Sequence, residues 1–139
     1  MLAINFWAVI VAAVAAFVIG FLMHGPVAGK LWMKLANIIP TGNEKLSDMY
    51  GQMFWNFVVN IVTAIALAIV ILFASTSGLL TNSALCNGLI VAAIVWAGFL
   101  VTSTSIDVIW MGRSRNLWLF EAGSSLITML AMGAILGAW

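Results

Sequence analysis

The chain has 139 residues, 65% of them apolar and 6% charged, with a net charge of +1 and a single cysteine, Cys86. Soluble domains carry about 25% charged residues, so this composition excludes an ordinary soluble globule, a disordered chain and, lacking any basic excess, a nucleic-acid binder. One cysteine also excludes an internal disulfide framework and a cysteine-built metal centre, which leaves an integral membrane protein.

In chain order, the first apolar run covers 3–23 and contains no charge and no proline. It reads as a retained helix rather than a leader, because it is overlong and nothing basic precedes it; the first positive side chain is Lys30. Pro26 suits the first turn of a second, short helix and Pro40 its stop. Between them Lys30, Lys34 and Asn37 recur at i, i+4, i+7, with Val27, Ala28, Leu31, Trp32, Leu35 and Ile38 around the rest. That pattern predicts an amphipathic helix in the membrane interface, with Lys30, Lys34 and Trp32 toward lipid headgroups. A loop that is merely apolar is the duller alternative. Thr41 and Glu44 have capping-box spacing, which starts the next helix near Gly42 and lets it project from the bilayer with Glu44, Lys45 and Asp48.

The second run is 53–74, holding Asn56, Asn60 and Thr63; the third is 86–106; the fourth is 117–138, with one acid, Glu121. Each run is roughly 32 Å long as a helix and matches a bilayer core of about 30 Å. The runs are continuous rather than alternating, so a barrel does not fit. The expected fold is all-α: one polytopic membrane domain over 1–139 with four transmembrane helices and the interfacial helix between the first two.

All five basic residues fall on one side. Lys30, Lys34 and Lys45 lie between the first two spans, and Arg113 and Arg115 between the last two. The positive-inside rule makes that side cytoplasmic and places both termini outside, in a bacterial cytoplasmic membrane. Trp32, Trp55, Trp110 and Trp118 fall near the inner interface and Trp7 and Trp139 near the outer one, as an aromatic belt requires, while Trp96 sits mid-span.

Small residues recur every four positions. Ala8, Ala12, Ala16 and Gly20 mark the first span, Ala64 and Ala68 the second, and Gly133 and Gly137 the fourth. Such ridges let helix backbones approach closely. Intrachain packing is the plain reading; the sharper one makes a ridge the contact of a homodimer or homotrimer.

Polar groups gather at one depth. His24, Asn56, Asn60, Ser103, Asp107, Glu121 and Ser125 all belong to the inner halves of their spans. Ionisable groups in membrane helices normally face the bundle interior or water. Each also has a structural reading. His24 can bond loose carbonyls at a helix end, the asparagines can join helices, and Asp107 and Glu121 can pair with Arg113 and Arg115 to fasten a turn. One histidine and two acids make no metal signature, there is no nucleophile elbow or phosphate loop, and no cofactor or catalytic residue is assigned. Cys86 reads as a small apolar filler.

Two stretches resemble a known family. One is His24-Gly25-Pro26 followed by Gly29-Lys30 and Trp32-Met33. The other is Leu119-Phe120-Glu121-Ala122-Gly123 with Met132-Gly133-Ala134-Ile135-Leu136 and Trp139. Together they resemble the bacterial "domain of unknown function 1761" family of small integral membrane proteins. The resemblance implies the four-span fold and supplies no activity.

Three functions compete. The first is a homo-oligomeric carrier or channel for an ion or small polar solute, motivated by the polar layer. The second is an accessory protein binding lipid headgroups or a partner helix. An enzyme using His24 with Asp107 or Glu121 ranks last, because it needs all three within reach of one substrate position.

Overall fold

Asn5 opens the first helix. Its Oδ1 accepts from the amides of Trp7 (3.0 Å) and Ala8 (3.4 Å), and α1 runs Phe6–His24. This N-cap satisfies amides that a helix start leaves bare. The structure is a computed structural model that describes residues 4–43, 45–78, 80 and 83–139; the expected start of the first span at Ala3 lies outside them.

Helix α2 is Gly29–Leu35, shorter than the interval between Pro26 and Pro40. Asn37 ends it by adopting a left-handed φ of 55°. The amide of Ile38 then reaches back to the Met33 carbonyl (2.9 Å) and that of Asn37 to Lys34 (3.4 Å), a Schellman closure. Asn37 is therefore a cap rather than part of the lysine face, and Pro40 is not the stop. The next helix does not begin near Gly42. That glycine has φ 80°, and the chain becomes helical only through a 3₁₀ turn at Leu46–Met49 before α3, Tyr50–Thr76. Asp48 serves that start, its Oδ2 accepting from the Lys45 amide at 3.4 Å. The expected Thr41–Glu44 capping box lies outside the described residues, because Glu44 does.

Helix α4 is Ala84–Val95, with Ser83 accepting from the Cys86 amide (3.4 Å). It continues through a π-helical segment, Trp96–Val101, into α5, Thr102–Trp110. Helix α6 is Arg115–Ala138, capped by Ser114. Four helices are long and apolar enough to cross a membrane: Phe6–His24, Ser47–Thr76, Ala84–Trp110 and Arg115–Ala138. No strand occurs among the described residues.

The four spans run up and down in chain order. α1 touches α3 and α6, α4 touches α3 and α6, and α3 meets α6 across the middle. Asn5 and Trp139 share one end with Ser75 and Ala84, called here the terminal end. The lysines and arginines belong to the segments at the other, basic end. At most 28% of any span's apolar window is buried inside the bundle, and the outward faces carry Val59, Val62, Phe73, Ile94, Phe99 and Ile109. An apolar surface of that extent needs lipid around it.

The core is built of small side chains. Val9, Ala12, Ala13 and Ala16 of α1 meet Ala64 and Leu67 of α3, Val91 and Ala92 of α4, and Met129 and Met132 of α6. The closest approach joins α4 to α6. A Cβ added at Gly88 would lie 2.1 Å from the Gly133 carbonyl oxygen and 2.9 Å from the Gly137 Cα. One at Gly137 would lie 2.6 Å from the Ala84 carbonyl oxygen. Ala84, Gly88 and Ala92 thus form the groove that receives Gly133 and Gly137. Ala12 and Ala16 are likewise buried within the chain, and Gly20 is half-buried. The chain's own backbone and side chains thus fill the Gly133/Gly137 ridge and bury Ala12 and Ala16, whereas a Cβ added at Gly20 would meet nothing within 4 Å.

Candidate functional site

A cavity of about 250 Å³ opens in the basic half of the bundle, with every span contributing to its wall. α1 supplies Gly20 and His24, α3 supplies Asn56, Asn60 and Thr63, and the π segment supplies Leu100. α6 contributes Glu121, Ser124, Ser125 and Thr128. The residues follow helical spacing: 56, 60, 63 on α3 and 121, 124, 125, 128 on α6 each make one stripe.

Of the seven polar-layer residues expected from sequence, His24, Asn56, Asn60, Glu121 and Ser125 line this cavity. Ser103 and Asp107 do not. Ser103 is exposed, and its hydroxyl donates to the Leu100 carbonyl at 3.1 Å. Leu100, in the π segment, takes the cavity wall on this span. Asp107 lies about 10 Å farther along the helix by its rise, beyond the cavity and beside Arg113. Thr102, Thr104 and Ser105 also donate to carbonyls one turn back, at Gly98 (2.7 Å), Leu100 (2.8 Å) and Val101 (2.6 Å).

Asp107 joins the site indirectly. Arg113 Nη2 bonds Glu121 Oε1 at 2.8 Å while its Nη1 lies 3.5 Å from Asp107 Oδ2. One guanidinium thus clamps the end of α5 to the first turns of α6, the forked geometry that arginine suits. The three groups sum to one negative charge. All are partly exposed, so the clamp contributes little stability by itself.

His24 is held on three sides. Its Nδ1–H donates to the Gly20 carbonyl at 2.9 Å, and the carbonyl can only accept, so Nδ1 carries the proton. Trp32 and Phe120 stand edge-on to the imidazole with centroids at 5.3 and 5.8 Å. Trp32 therefore turns inward against His24, whereas Lys30 and Lys34 are exposed on α2. Among the described residues the asparagines bond each other rather than another helix: Asn60 Nδ2 donates to the carbonyl (2.9 Å) and Oδ1 (3.0 Å) of Asn56.

Sequence reasoning missed several participants. Thr63, Ser124 and Thr128 extend stripes it had already drawn, so their spacing was available. Trp96 gave no such signal. Its indole N–H donates to the Ala122 carbonyl (3.0 Å) and Ser125 Oγ (3.1 Å), tying the π segment to α6 beside the cavity. Cys86 is exposed rather than a filler. Among the described residues no three His, Cys, Asp or Glu side chains gather closely enough to hold a metal ion.

The cavity does not continue through the bundle. A second one, about 220 Å³, lies at the terminal end between Asn5, Ala8, Ser75, Ala84 and Trp139. Between Ala8 and Ala16, about 12 Å by helix rise, the interior is filled by Val9, Ala12, Ala13, Ala64, Leu67 and Met132, none more than 2% exposed. The arrangement is a polar chamber at one end, closed from the other by a dry apolar partition.

Residues 7–137 match the family described as "Protein of unknown function (DUF1761)", and the chain belongs to that family. No curated protein and no solved structure matches it.

Proposed function

We propose, for this member of a family whose description assigns no activity, a carrier that takes a small polar or cationic solute into its polar chamber. The observation carrying this reading is the one-sided chamber itself, lined from all four spans and sealed by the partition. A channel needs a continuous path, whereas a carrier alternates between openings on either side of a fixed site near mid-membrane. The basic loops face the cytoplasm and both termini the outside, by the five-to-none basic bias. The chamber then opens inward in this conformation. Assembly as a dimer or trimer belongs to the same proposal, on outward helix faces rather than the buried ridges.

The test needs no known substrate. In a Cys86→Ala background, Asn60→Cys should react with a small impermeant thiol reagent from the cytoplasmic side. Leu67→Cys, in the partition, should react slowly and from the outside, reporting the other conformation. A folded protein in which Asn60→Cys reacts from neither side would end this reading.

A second reading is an accessory protein anchored at the headgroups. Exposed Lys30 and Lys34 favour it, as does the use of Arg113 as a fastener. It expects Asn60→Cys to stay unreactive.

A further inference from the structure

The chamber is not isolated on its basic side. A groove of about 400 Å³ runs between α1, α2 and α3 and shares Gly20, His24 and Asn56 with it. Apart from Gln52, its other walls are apolar and pliable, with Phe17, Phe21, Trp32, Met33 and Met53 among them. The chamber mixes polar groups with Ala16, Leu100, Met129 and Met132, the groove is almost wholly apolar, and the two share a seam, the shape that receives a molecule with a polar head and an apolar tail. Each is of the order of known small-ligand pockets, about 300–1,000 Å³.

Charge, together with the hydrogen bonds, identifies the head. Several of the chamber's donors are engaged within their own helices, while the Asn56 Nδ2 and Ser124 hydroxyl protons meet no acceptor among the described residues. Thr63 donates to the Val59 carbonyl (3.0 Å), Ser125 to Ala122 (2.9 Å) and Thr128 to Ser124 (3.0 Å). Both protons of Asn60 Nδ2 go to Asn56, and the Nδ1 proton of His24 goes to Gly20. What these groups offer a ligand is acceptor capacity: Asn60 Oδ1, the lone pairs of the three hydroxyl oxygens and, in the Nδ1–H tautomer of the imidazole, His24 Nε2. Glu121 adds a carboxylate whose Oε1 alone is bonded to Arg113. The ion cluster keeps one net negative charge, and neither space is lined by lysine or arginine. An anionic head, a phosphate included, finds no free cation there. A protonated amine finds acceptors and a charge of opposite sign, the pairing that charge-assisted bonds favour.

We infer that chamber and groove together bind a single-chain alkylammonium, its ammonium at Glu121, Asn60 and His24 and its chain along Phe17, Phe21 and Met33. This rests on reading the chamber as a solute site. It adds that the solute is amphiphilic and enters sideways between α1 and α3 rather than only from water.

The test uses the full chain in phosphatidylcholine nanodiscs, as the Cys86→Ala, Leu100→Cys protein, whose label sits in the chamber wall and leaves Glu121, Asn60 and His24 in place. Dodecylammonium, below its micelle concentration, should slow thiol labelling at residue 100 saturably and at least tenfold. Butylammonium, with the same head and too short a chain, should need at least tenfold higher concentration. Dodecanoate, with the opposite charge, should not protect. Phe21→Ser should abolish the advantage of dodecylammonium over butylammonium. Glu121→Gln should weaken both amines at least tenfold; Phe21→Ser keeps the groove testable should Glu121→Gln fail to fold. Equal protection by the two amines, or an unaltered preference in Phe21→Ser, overturns the amphiphile while leaving a small-amine carrier standing. Protection by dodecanoate overturns the charge assignment. No labelling at residue 100 in the absence of amine defeats the underlying chamber reading instead.

Discussion

Replacing Gly88 by alanine adds one methyl group where two helix backbones touch. The new Cβ would lie 2.1 Å from the Gly133 carbonyl oxygen, and the tightest ordinary contact is 3.4 Å, so α4 and α6 must part by about 1.3 Å. Neither obstacle can rotate away, since both the Gly133 oxygen and the Gly137 Cα are backbone. A gap of 0.5–1 Å already forfeits about a quarter to a half of each dispersion contact, and in lipid those contacts are the main force between helices. Overpacking of this kind costs about 1–3 kcal/mol, and the rigid geometry puts Gly88→Ala at the upper end, about 3 kcal/mol, or roughly a hundredfold in the folding equilibrium at 1.4 kcal/mol per tenfold. The control is Gly123→Ala on α6, where an added Cβ meets nothing within 4 Å. It should be neutral or stabilising by up to about 1 kcal/mol through helix propensity. Unfolding in dodecyl sulfate, followed by circular dichroism in mixed micelles, measures both. A Gly88→Ala protein as stable as wild type, beside a neutral Gly123→Ala, would refute the close packing of α4 on α6.

The other expectations use the same readouts. Gly133→Leu should unfold the chain rather than merely dissociate an oligomer, and a folded monomer would contradict the interior placement of that ridge. The mass of the wild-type protein in lipid should be that of a dimer or trimer; a single-subunit mass removes the oligomer from the proposal. Trp96→Phe should cost about 1–2 kcal/mol in melting experiments, the range of a membrane interhelical hydrogen bond. Ser125→Ala should cost less, because the Ala122 carbonyl still accepts the indole proton; the reverse order would remove Trp96 from its role. Arg113→Ala should lower stability by about 1 kcal/mol, as partly exposed ion pairs do. Arg113→Lys should recover only part of it, since a point charge cannot fork to Asp107 and Glu121; full recovery would mean that the forked geometry is irrelevant. Cysteines at Asn43 or Ser114, in Cys86→Ala cells, should resist an impermeant thiol reagent added outside, and ready labelling would invert the orientation.

Composition and run length were enough to establish four membrane-capable helices, because a bilayer core admits little else. Depth was also legible: His24, Asn56, Asn60, Glu121 and Ser125 meet as their positions along the spans suggest. The direction each face points was not. On a regular helix the Ser103 stripe is as good a candidate as the Asn60 stripe. In the bundle Leu100 of the π segment, Trp96–Val101, takes the cavity wall instead, and that segment forms in a tract whose local pattern is that of any apolar helix. The ridge at Gly133 and Gly137 announced close approach but not its partner, which only the crossing of α4 on α6 identified as Ala84, Gly88 and Ala92. Arg113 reaches Glu121 eight residues away and Asp107 six residues away across a turn, and two of the local boundaries, at Asn37 and Gly42, depend on left-handed backbone that the short amphipathic pattern did not reveal. Helix existence and depth follow from local hydrophobicity, a sum along the chain. Facing, register and partnership follow from contacts between segments far apart in sequence, which exist only once the bundle has closed.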